Sequence, residues 1–136
     1  MKRMIHLAAL AVILAGCTAQ APAPQIPLPP AVPVFFQSWS AALDKSALNA
    51  IASAAQTAAA NPSMDVVVTG GADSVGSAQA NIYMSEVRAQ VVSDQLVADG
   101  VTQDRIKIKA NGIVPSGMPA GQPAQIARRV LIQVGG

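Results

Sequence analysis

The sequence predicts a layered α/β fold with elements in the order β-α-β-α-β-β, and three observations point to it. Two long stretches with apolar residues at helical spacing alternate with short β-branched runs, the pattern of helices packed on a sheet. Residues 34–136, which carry this pattern, have the length of one ordinary domain and can bury a core without staples. They contain neither Cys nor His, so no disulfide or zinc cluster organises them.

Val34-Phe35-Phe36, directly after Pro33, is a short β-prone run. Ala41 to Ala60 is Ala-rich, with Leu43, Ala47, Leu48, Ile51 and Ala55 at helical spacing, and Asn61-Pro62 ends it because proline cannot continue the hydrogen-bond ladder. Met64 to Thr69 is rich in β-branched residues and suits a central strand buried on both faces, closed by Gly70-Gly71. A loop leads to Ser77, where the second helix starts. Ala80, Met84, Val87, Val91 and Leu96 lie near one stripe of it, and Asp99-Gly100 stops it. Arg105 to Lys109 alternates as a half-exposed strand does. Residues 111–124 hold three Gly, three Pro and no charge and read as a long loop before the last strand, Arg129 to Val134. The expected architecture is a two-layer sandwich with a mixed sheet.

Residues 1–16 read as a targeting segment. Met1-Lys2-Arg3 is a basic start, and the apolar run from Met4 to Leu14 is too short to span a bilayer as a permanent helix. Leu14-Ala15-Gly16-Cys17 resembles the lipobox of bacterial lipoproteins. The small residues give a signal peptidase access to the bond, and the Cys17 thiol would accept a diacylglycerol. Acyl chains add roughly 0.8 kcal/mol per buried methylene, enough together for stable membrane anchoring. Thr18, in place of the Asp associated with inner-membrane retention, leans the expectation to the periplasmic side of the outer membrane. Residues 17–33 then form a lipidated Cys and a Pro/Ala-rich, disordered tether, expected to lie outside the fold. In polyproline II at roughly 3.1 Å per residue it would reach about 50 Å.

Without the leader, seven basic residues (Lys45, Arg88, Arg105, Lys107, Lys109, Arg128, Arg129) balance seven acidic ones, so no basic face for nucleic acid is expected. Absence of His and Cys removes the usual nucleophilic and thiol chemistries. Glu86 is the single Glu, there is no Ser-x-x-Lys motif, and no carboxylate spacing suggests a metal. An enzyme is therefore not expected, and neither a metal nor a cofactor is called for.

The remaining chemistry lies in one loop and one helix face. In Gly70-Gly71-Ala72-Asp73-Ser74-Val75-Gly76-Ser77, glycines open unusual backbone geometry and Asp73 precedes a helix N-terminus. Asp there also forms Asx turns or caps helices. On the following helix Asn81, Ser85, Arg88 and Val92 share one face. An Asp from the loop and an Arg three turns on would border a common pocket, suited to the ammonium and carboxylate of an amino-acid end group. Asp73 and Arg88 pairing with each other, or a solvated Arg88, is the alternative. A phosphate loop lacks its Gly-Lys-Ser/Thr signature.

The blocks Gly70-x-x-Asp73-x-x-Gly76-Ser77, Asn81-x-x-Met84-Ser85-x-x-Arg88-Ala89 and Arg128-Arg129-Val130-x-Ile132 resemble the OmpA-like peptidoglycan-binding domain, the family of Pal-type (peptidoglycan-associated) lipoproteins. Phe36 to Leu43, Gly100-Val101, Arg105-Ile106 and Gly112 resemble further segments of it. The resemblance covers roughly residues 34–134. It implies a βαβαββ sandwich that binds peptidoglycan non-covalently through the diaminopimelate of the stem peptide. Asp73 would accept from the diaminopimelate ammonium, Arg88 would grip its carboxylate, Asn81 would support the pocket and Arg129 would help at its rim.

Several positions depart from the family. Gly71 and Ala72 replace an aromatic or His and a Thr, Gln37 an Asp, and Met84 a Leu. Ile113, Ala127 and Leu131 stand where Gly-Glu, Asn and Glu are common. Binding weaker than in a typical member is expected. Trp39, the only Trp, is expected in the core rather than at a ligand. Asp73→Ala and Arg88→Ala are expected to abolish binding to sacculi while leaving thermal unfolding nearly unchanged. The rival reading is an envelope adaptor that docks Tol-like proteins or a secretion assembly.

Overall fold

The structure, a computed structural model, describes residues 21–22 and 25–136. The leader, Cys17 and residues 18–20 and 23–24 of the tether lie outside the described residues. The elements are β1 (Val32–Phe35), α1 (Lys45–Ala60), β2 (Val66–Ala72), α2 (Ala78–Ala98), β3 (Ile106–Ile113) and β4 (Arg129–Val134), with a 3₁₀ turn at Gln103–Arg105. The sheet order is β1-β4-β2-β3; β2 runs parallel to β3 and antiparallel to β4, and β1 pairs antiparallel with β4. This is the expected βαβαββ mixed sheet, with β2 between two neighbours as its β-branched composition requires.

The folded unit starts earlier than residue 34. β1 begins at Val32, and Gln133 Nε2 donates to the Pro29 carbonyl at 2.7 Å. Proline without an N–H fits here because β1 is an edge strand, so the end of the tether joins the sheet.

α1 starts at Lys45, not Ala41, because Asp44 caps it: its Oδ1 accepts from the Ala47 N–H at 2.8 Å. Ala47, Ile51, Ala54, Ala55 and Ala58 form its buried face. At its other end Arg105 gathers part-buried carbonyls. Its Nη2 donates to Ala58, Asn61 and Met64 oxygens at 2.9, 2.9 and 2.8 Å, and its Nε to Met64 at 3.0 Å. Ala58 and Asn61 belong to the helix C-terminus and Met64 to the turn just after it, and a cation there also favours the dipole. Arg105→Ala is expected to lower the urea midpoint by an amount equal to about 1–3 kcal/mol, at unchanged slope. Arg105→Lys is expected to recover little of that loss, since a single ammonium cannot span the same carbonyls.

On α2 the buried face is not the apolar stripe. Asn81, Ser85, Arg88, Ala89, Val92, Ser93 and Leu96 turn inward, whereas Ala80, Met84, Val87 and Val91 are half-buried on its flank. Close approach explains it. Gly70 lies inside β2 rather than in a loop, and a Cβ there would overlap the Ser85 carbonyl oxygen, so α2 rests directly on the strand. Small or hydrogen-bonding residues fit that contact; Ser85 Oγ donates to the Ile82 carbonyl and accepts from the Gly112 N–H at 3.0 Å. Gly112 belongs to β3, which continues to Ile113, past the start of the expected loop. The register with β2 shifts between Gly70 and Ala72, an irregularity of the β-bulge kind at the end of the strand.

Both helices cover one face of the sheet. Val34, Phe36, Val66, Val68, Val130, Ile132 and Val134 meet Ile51, Val92 and Leu96 there in a single core. β4 alternates, with Val130, Ile132 and Val134 inward and Arg129, Leu131 and Gln133 outward. β3 is the other edge, guarded by exposed Lys107 and Lys109. Among the described residues no helix is long and apolar enough to cross a membrane.

Candidate functional site

Asp73 leaves the end of β2 and is 5% exposed. Its Oδ1 accepts from the Val75 N–H at 3.2 Å, an Asx turn. The helix cap itself is Ser77, whose Oγ accepts from the Ala80 N–H. Asp73 Oδ2 accepts from the Ala124 N–H at 3.2 Å and from Arg128 Nη1 at 2.8 Å. Burial alone would raise its carboxyl pKa, but the Arg128 hydrogen bond, the Ala124 and Val75 N–H groups and the Arg128 charge outweigh it, and the net shift is downward.

Arg88 is 1% exposed, so it is not the solvated arginine the alternative described. Nor is it hydrogen-bonded to Asp73. Its Nε donates to the Ser40 carbonyl at 2.9 Å, Nη1 to Gly71 at 3.1 Å and Nη2 to Gln37 at 3.0 Å, with the guanidinium carbon 5.4 Å from the Phe36 ring centroid. Burial lowers its pKa, the Asp73 charge raises it and the Arg128 charge lowers it again, for a net decrease. It remains a cation at neutral pH all the same. Arg88, Asp73 and Arg128 thus act on one another electrostatically, but only Arg128 is in direct ion-pair contact with the carboxylate. Gln37, where an Asp was expected, serves through its backbone oxygen.

Asn81 is buried and ties the loop to α2, its Nδ2 donating to Val75 and Ser77 carbonyls at 2.9 and 3.1 Å. Arg129 is brought to neither Asp73 nor Arg88. Strand alternation turns it to the open face of the sheet, where its Nη1 donates to Ile126 and it walls a shallow cavity of about 80 Å³ with Gly71, Asn111 and Val114. Arg128, not singled out from the sequence, is the arginine that meets Asp73. The signal was present: with Val130, Ile132 and Val134 inward, parity puts Arg128 on the helix side and Arg129 outside. A larger cavity, about 180 Å³, lies between β1 and the start of α1, and neither cavity has Asp73 or Arg88 in its wall.

Trp39 is 49% exposed, outside the core where it was expected. Its φ is 51°, a left-handed conformation that a bulky residue rarely adopts. Arg88 holds the carbonyls on either side of it, at Gln37 and Ser40. The indole then lies against Gly76, which has φ 86° and where a Cβ would stand 2.7 Å from the ring. This arrangement makes Trp39 a wall beside the Asp73 loop.

Comparison with known proteins gives a consistent picture. A family model described as the OmpA family matches residues 35–129. No curated protein sequence matches the chain. Among solved structures, the peptidoglycan-associated lipoprotein of Burkholderia pseudomallei is 22% identical with a TM-score of 0.67, over 75% of this chain and 88% of that one. The OmpA-like domain of FopA1 from Francisella tularensis is 26% identical with a TM-score of 0.66, over 76% and 70%. The periplasmic domain of Helicobacter pylori MotB is 17% identical with a TM-score of 0.65, over 82% and 78%, a likeness of fold.

Proposed function

Since the chain belongs to the OmpA family, we propose that it is a non-catalytic cell-wall-binding protein that holds peptidoglycan through the diaminopimelate of the stem peptide. In this reading Cys17 carries the lipid anchor, the protein faces the periplasm from the outer membrane, and the tether upstream of β1 gives it reach. Many anchored copies facing a repeating polymer need little affinity each.

The observation that supports the site is an excess of positive charge on one buried and one partly buried arginine. Arg88 and Arg128 flank Asp73, Arg128 takes the ion pair at 2.8 Å, and Arg88 has only neutral carbonyls as hydrogen-bond partners. A buried charge without a direct counter-ion is costly, so a ligand carboxylate is favoured there. Nη1 and Nη2 of Arg88 each donate one hydrogen bond to a described residue, which leaves each a second N–H for a carboxylate fork. Reaching them requires the 37–40 turn to yield, because Arg88 is 1% exposed. Asp73 takes the ammonium, Asn81 keeps the loop in place, and Arg129 acts only at the outer rim.

Retention of the full-length protein, purified in detergent, on sacculi tests this reading. Asp73→Asn and Arg88→Lys are expected to reduce it at least about tenfold, the loss of one charge-assisted contact, with circular dichroism unchanged. Stem peptide containing diaminopimelate should compete, and the lysine analogue, which lacks the second carboxylate, should not. Wild-type retention by both variants would remove the site assignment. If wild-type protein ignores sacculi and envelope proteins cross-link to it, the adaptor reading, with Tol-like partners, takes its place.

A further inference from the structure

We propose that Trp39 is a stacking platform for a sugar ring of the peptidoglycan glycan strand, so that the domain reads the saccharide as well as the peptide. The inference rests on the site assignment above and extends it. Four observations carry it. The indole is about half exposed although it is the chain's only tryptophan. Its backbone sits at φ 51°, and a strained conformation of this kind persists only where the surroundings impose it. The imposing group is Arg88, which fastens the carbonyls at Gln37 and Ser40 on both sides of the tryptophan. One edge of the benzo ring is seated against Gly76, where any side chain would collide with it.

The ring therefore meets Gly76 by an edge and leaves aromatic surface open to a ligand, and covering an indole in this way contributes strongly to binding. Its position sets what it meets. Gly76 is three residues past Asp73, so the indole lies within about 10 Å of the proposed ammonium site along the chain. Diaminopimelate is separated from the sugar by two amino acids and a lactyl group, a similar span when extended. A pyranose ring offers an apolar face of C–H groups that matches an indole, while its hydroxyls stay in water.

The test compares two ligands on the full-length protein in detergent: a disaccharide-tetrapeptide containing diaminopimelate, and the same tetrapeptide without sugar. Wild-type protein is expected to bind the disaccharide form roughly tenfold more tightly. Trp39→Asn, which suits the left-handed backbone, should erase that difference, so that the disaccharide form binds no more tightly than the free peptide. Trp39→Phe should restore part of it. Emission from the single tryptophan should shift with the disaccharide form and not with the peptide. Equal wild-type affinities for the two ligands, or an equal loss on both in Trp39→Asn, would overturn the stacking role while leaving the peptide site standing. If the wild type binds neither ligand, the peptide site itself fails and the stacking role with it.

Discussion

Arg88→Ala is expected to destabilise the domain by about 2–4 kcal/mol, and so to lower its melting temperature on the order of 10–20 °C. This replaces the expectation that the variant would unfold like the wild type. The side chain is as buried as Ile51 or Leu96, it fills the space between β2, α2 and the 37–40 turn, and it satisfies three carbonyls. Truncation leaves a cavity, an unpaired Gly71 oxygen and a turn with nothing to hold Trp39 in place. Arg88→Met keeps most of the volume and loses the hydrogen bonds, so the difference between the two variants separates packing from polar contacts. Chemical unfolding followed by circular dichroism measures both. An Arg88→Ala midpoint equal to the wild type would mean that the guanidinium is not part of the fold. Loss of sacculus binding in Arg88→Ala alone therefore does not report on ligand contact, and Arg88→Lys is the informative variant.

Asp73→Asn is expected to cost about 2–4 kcal/mol at neutral pH, because it leaves the Arg128 guanidinium partly buried without its counter-ion. The cost should depend on pH, and its sign is fixed by the downward shift of the Asp73 carboxyl. Although burial pushes that carboxyl up, Arg128 and the two N–H donors hold it below its unfolded value. In acid the unfolded state then binds the proton first, so stability rises with pH in that range. The contribution is complete above the usual carboxylate pKa near 4 and is lost as pH falls through the lower folded value. Urea unfolding between about pH 6 and 2 should show the gap between wild type and Asp73→Asn closing in acid. A gap that stays constant would show that the ion pair contributes nothing.

The strand and helix order was legible because its signals are local. Pro62 ends α1, Asp99-Gly100 ends α2, and the run from Val66 to Val68 needs partners on both sides. The start of α1 was less so: Asp44 had to be recognised as a cap, and without it Ala41 reads as helical. The same local reading failed for most of α2, where Ala80, Met84, Val87 and Val91 stayed on the flank and only Leu96 of the apolar stripe went inside. Its polar face went inside because Gly70 lets the helix backbone approach the strand too closely for larger apolar side chains. Trp39 was misplaced for a related reason. No short-range pattern announces a left-handed tryptophan, since the conformation is imposed by a guanidinium 48 and 51 residues away in the chain from the carbonyls it binds.

Composition and spacing on their own determined the class of fold, the lack of Cys and His chemistry in the domain, and the Asp and Arg residues that deserved attention. Which arginine meets Asp73 was decided by the tertiary structure. Strand parity turned Arg128 inward and Arg129 out, and convergence of the Gln37, Ser40 and Gly71 carbonyls occupied Arg88. Hydrogen-bond satisfaction of a buried charge depends on atoms brought together from distant parts of the chain, and folding alone assembles those neighbours.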